Sequence, residues 1–79
     1  MANKQKYNQV FIDTFSLQES ELSETLIYNT ISSWDSIGHM SMVAALEDTF
    51  NITMETDDIV NFSSYQKGFE ILSKYGITF

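Results

Sequence analysis

The sequence contains no cysteine and no proline, and only three glycines in 79 residues. Without cysteine there are no disulfides, no thiolate metal ligands and no thiol nucleophile, so thioester chemistry here would need a sulfur from an added group. Without proline, nothing imposes a sharp kink on a helix. Basic residues are scarce as well: four Lys and Arg against eleven Asp and Glu give a formal net charge of −7. That balance repels nucleic acid and anionic lipid, and it steers positively charged protein surfaces toward this one. No apolar run approaches the ~18 residues of a membrane span. The polar start Met1-Ala2-Asn3-Lys4-Gln5-Lys6 lacks the apolar stretch of a signal peptide. The expectation is a cytoplasmic protein that neither enters membranes nor binds nucleic acid, whose partner is a protein with a basic patch.

A chain of this length makes one domain, residues 1–79, and such a small domain buries only ~60% of its unfolded surface. Little room is left for a deep active-site cleft. Four apolar-periodic stretches are present. The first, from about Asn3 to Phe15, repeats Tyr7, Val10, Phe11 and Phe15 at helical spacing. A long polar segment follows, from Ser16 to Ser33, with Leu22, Leu26 and Ile27 as its expected anchors. A second helix begins at Asp35 or Ser36 and ends near Phe50-Asn51, because Asp and Ser cap helix starts and Asn tolerates a left-handed exit. Its core stripe is Val43, Leu46 and Phe50, flanked by Met42, while Ile37, Met40 and Ala44 fall on an exposed side. A short third helix starts at Thr56-Asp57-Asp58. A fourth opens at Ser63-Ser64 with Tyr65, Gly68, Phe69, Leu72 and Tyr75 on one face, and Gly76 supplies its stop. The expected core is Val43, Leu46, Phe50, Phe69 and Leu72. Trp34 is expected to pack as a wall at the loop end.

The run Trp34-Asp35-Ser36-Ile37-Gly38-His39-Met40 places a hydroxyl at a helix start, where unpartnered backbone N–H groups and the helix dipole favour an anion. A phosphate ester on Ser36 would sit in a favourable field. From Trp34 to about Tyr75 the chain resembles the acyl carrier proteins, whose Asp-Ser-Leu motif bears phosphopantetheine on the serine; here it reads Asp35-Ser36-Ile37. Ala45-Leu46-Glu47-Asp48-Thr49-Phe50 is similar to the family's alanine-leucine-acid-acid-x-phenylalanine stretch, and Ile52 to Asp58 resembles its turn into the third helix. The resemblance implies an all-α four-helix bundle with a long first loop and a short third helix. It also implies covalent phosphopantetheine on Ser36, carrying acyl or aminoacyl cargo as a thioester. The partners would then be a phosphopantetheinyl transferase and loading and transfer enzymes with basic patches, meeting a monomer with no catalysis of its own. Asp35 resembles the acid beside the attachment site that meets the modifying enzyme. Glu47, Asp48, Asp57 and Asp58 match the family's partner-binding acids, with Ile37, Met40 and Ala44 as apolar contacts.

Other chemistries fit less well. Asp35, Ser36 and His39 lie within one helical turn, which cannot place a base between nucleophile and carboxylate, so a catalytic triad is not expected. His39 is read as a half-exposed neighbour of the pantetheine arm, or as a packing residue. The acid pairs lack the alternating ligands and central glycine of a calcium loop, and one histidine does not build a zinc site. Fatty-acid carriers usually have further acids early in the second helix, where this chain has Gly38 and Ser41. A dedicated polyketide, polysaccharide or aminoacyl pathway therefore fits at least as well as fatty-acid synthesis. The alternative from another class is an acidic interaction module in which Ser36 is only a helix cap.

Overall fold

The apolar periodicity of residues 3–15 and the capping residues before positions 36 and 65 each become a helix. In a computed structural model, which describes residues 2–79, α1 spans Ala2–Phe15, α2 Ser36–Phe50, α3 Thr56–Asn61 and α4 Tyr65–Ser73. A single 3-10 turn, Glu19–Glu21, interrupts the long first connection. Among the described residues there is no strand, and the fold is all-α, as expected. Asp35 caps α2, and Asn51 ends it in the left-handed region at φ 55°. Ser64 caps α4, its hydroxyl accepting from Lys67 N–H at 2.9 Å.

The core is more aromatic than the α2 stripe suggests. Tyr7, Phe11, Trp34, Met42, Leu46 and Leu72 are completely buried, and Val43 and Phe62 nearly so. Phe11 lies edge-on to Tyr7, Trp34 and Tyr65, with centroids 5.0–5.4 Å away, and such contacts add to the ~1.5–3 kcal/mol gained by burying one large apolar side chain. Two expectations are corrected. Met42 is a central core residue rather than a flank, whereas Phe50 and Phe69 are only partly buried against the core. Phe50 instead meets Phe79 near the end of the chain, at 6.5 Å. Gly68 serves this core by absence: a Cβ there would lie 2.0 Å from the Tyr7 hydroxyl. That hydroxyl donates to the Tyr65 carbonyl at 2.6 Å, and burial, reinforced by the neighbouring Tyr65, pushes its pKa well above the usual phenol range.

The first loop packs by its own side chains. Leu17 and Leu26 are buried and Leu22 and Ile31 half-buried, but Ile27 points outward at 45% exposure, so it is not the expected anchor. Its backbone anchors instead. Tyr28 N–H donates to Ser63 O at 2.8 Å and Tyr65 N–H to Leu26 O at 2.9 Å, forming an isolated antiparallel bridge to the segment before α4. This pairing carries Tyr28 to the start of α2. The loop's far end rests on Gly38, where an added Cβ would fall 2.0 Å from Ser33 O.

Candidate functional site

Asp35 and Ser36 divide two tasks open to either residue type, capping the helix and presenting a free polar group. The Asp35 carboxylate accepts from Gly38 N–H at 2.9 Å, taking the capping role. Ser36, the first residue of α2, is therefore free of capping and exposed. The hydroxyl lies 3.4 Å from that of Tyr28.

Beside Ser36 a groove of about 330 Å³ runs between α2 and α3. Tyr28, Ser36 and Ser63 put hydroxyls on it, while Met40, Ile59, Val60 and Phe62 make the rest apolar, with His39 among them. Of the large hydrophobics that remain exposed, Tyr28, Met40 and Val60 line it. Ile37, the most exposed at 80%, adjoins Ser36 in sequence. Ala44 is exposed as well. The apolar side expected of α2 is thus open to solvent. Such exposure on a small domain marks an interaction surface more than a packing fault.

His39 takes a more defined place than either expectation gave it. Trp34 Nε1–H donates to His39 Nδ1 at 3.0 Å, and His39 Nε2 meets the Ile59 carbonyl at 2.8 Å. An indole nitrogen only donates and a carbonyl only accepts, so the ring is the neutral tautomer with its proton on Nε2. Its plane lies 13° from that of Trp34. His39 therefore neighbours Ser36 in the groove wall and joins the loop end, α2 and α3 at once.

The four acids expected to meet partners do not share one environment. Asp48 and Asp57 are exposed, as a docking surface requires. Asp58 is not: it is buried, bound by Lys74 Nζ and the Tyr75 hydroxyl, and its carboxyl is held below the usual aspartate range first by the Lys74 bond and then by the Tyr75 bond. Glu47 is half-buried and accepts from Met54 N–H at 2.8 Å, fastening the turn after α2. Both are structural acids, because each satisfies a donor inside the fold. Tyr28, Ile59, Val60, Phe62 and Ser63 also line the groove, and no spacing rule joins residues from the first loop, α3 and the segment that follows it. Compared with known proteins, the chain matches no family model, no curated protein and no solved structure.

Proposed function

We propose that this protein is a stand-alone carrier that holds acyl or aminoacyl cargo as a thioester on phosphopantetheine attached to Ser36. The observation that carries the reading is the division of labour at the start of α2. Asp35 takes the cap and leaves the Ser36 hydroxyl exposed at the mouth of an apolar groove. A phosphodiester on Ser36 would lie at a helix N-terminus, where unpartnered N–H groups and the dipole favour negative charge. The thiol that the chain itself lacks would come from the attached group. Tethering raises the local concentration of cargo at each partner, which is the advantage of a carrier over a free thioester.

Exposed Ile37, Met40 and Ala44 would supply apolar contacts to the transferase and to loading enzymes, with Asp48 and Asp57 guiding basic surfaces toward them. The protein would act in the cytoplasm, as a monomer without catalysis of its own, in a dedicated assembly pathway rather than in bulk fatty-acid synthesis. The test is intact mass after incubation with coenzyme A and a promiscuous phosphopantetheinyl transferase. Wild type should gain one phosphopantetheine and Ser36→Ala none. Modification that persists in Ser36→Ala overturns the assignment. No modification of either form by several transferases would favour the interaction module, which the exposed Ile37, Met40 and Val60 also suit.

A further inference from the structure

The interior behind the groove is already full. Trp34, Phe11, Met42 and Leu46 are completely buried, and Phe62, which faces the groove, is 1% exposed. Between groove and core stands the hydrogen-bonded series Trp34 Nε1–H to His39 Nδ1, then His39 Nε2–H to Ile59 O. Ile59 belongs to the last turn of a six-residue helix, whose final carbonyls have no full set of intrahelical donors. His39 satisfies one of them, alongside a longer bond from Phe62 N–H at 3.4 Å.

A chain entering the bundle must part α3 from α2 at this point. That movement would break the His39 Nε2–H bond to Ile59 O, leaving the part-buried imidazole N–H without an acceptor and Ile59 O with only the longer bond from Phe62 N–H. The other end of α3 is fixed independently, by Lys74 and Tyr75 on Asp58 and by Glu55 N–H donating to the Tyr75 hydroxyl at 2.9 Å. With both ends held, the groove keeps its size, at the small end of the ~300–1,000 Å³ range of ligand pockets.

We propose that His39 is a specificity-determining residue that closes the bundle interior. The groove beside Ser36 then admits a compact, mainly apolar acyl group, and a long acyl chain stays outside the fold. This inference rests on the carrier reading, but its test does not. Because the chain has no cysteine, Ser36→Cys introduces a unique thiol. Butyl, benzyl and hexadecyl methanethiosulfonates each convert it to a mixed disulfide, the thiolate displacing methanesulfinate, with no transferase involved.

Nitrogen–hydrogen correlation spectra of the three adducts then report where each group lies. Butyl and benzyl groups should shift the Met40, Ile59 and Val60 signals and leave the Trp34 indole N–H in place. The hexadecyl group should also leave the Trp34 signal in place and raise the melting temperature no further than butyl does. His39→Ala removes the acceptor of the Trp34 indole N–H and moves its signal by itself, so the arms are compared within that background, where the hexadecyl adduct should shift the signal further than the butyl adduct does. A hexadecyl adduct that shifts the Trp34 indole signal with His39 intact overturns the proposal, as do short groups that leave the groove residues unmoved. The His39-intact arm decides alone if the double variant does not fold. Failure of enzymatic modification would strike the carrier reading and leave these spectra readable.

Discussion

At residue scale, the acids near Ser36 divide by what they touch. Asp35 binds Gly38 N–H, so Asp35→Ala should lower stability by about 1 kcal/mol, the usual value of a lost cap. A denaturant titration checks it. Asp58 has a depressed pKa in the folded protein, caused by the Lys74 and Tyr75 bonds. Its contribution is therefore fully present above the ordinary aspartate value of 3.8 and is lost as pH falls through the lower folded value. Asp58→Asn should lower the melting temperature near neutrality and flatten its fall over that acid range. Parallel melting curves for both proteins against pH, with the same slope below pH 3.8, would contradict the assignment. The sequence hid this role because an Asp57-Asp58 pair at a helix start reads as a solvated face. The decisive partners, Lys74 and Tyr75, come from just past the end of α4. Glu47 was masked in the same way by Met54 N–H.

At the scale of elements, helix existence was legible and helix value was not. Local signals mark the starts of α2 and α4, which Asp35 and Ser64 cap, and the end of α2, where Asn51 exits left-handed, while Tyr7, Val10, Phe11 and Phe15 keep one face of α1. The periodicity of α2 places Phe50 on the same stripe as Val43 and Leu46, facing the middle of the bundle. Tertiary packing instead gives the centre to α1, Trp34 and Phe62, and leaves Phe50 at the rim beside Phe79. Phe11→Ala should therefore cost about 3–5 kcal/mol, a large part of the roughly 4–12 kcal/mol expected for a chain this long. Phe50→Ala should cost about 1–2 kcal/mol, since less of its surface leaves water. Equilibrium unfolding of the two variants checks the order, and a greater loss for Phe50→Ala would contradict it. The groove was not legible at this scale, because its walls meet only when the Ile27–Ser64 bridge brings Tyr28 beside α2.

Across the whole molecule, charge is the dominant feature and the sequence states it outright. Among the described residues the ion pairs are Lys74 with Asp58 and Lys67 with Glu70, the latter exposed and worth little. Acids still outnumber bases by a net charge of −7, so self-repulsion should weaken the fold and added salt should raise the melting temperature by screening. A melting temperature indifferent to salt would contradict this. The same surplus would favour basic partners for a carrier of this kind. The absence of cysteine turns the central claim into a simple titration. A thiol reagent should find no thiol in the purified chain and one per chain after treatment with coenzyme A and a phosphopantetheinyl transferase, with none in treated Ser36→Ala. No thiol in the treated wild type, or a thiol in treated Ser36→Ala, would contradict the account.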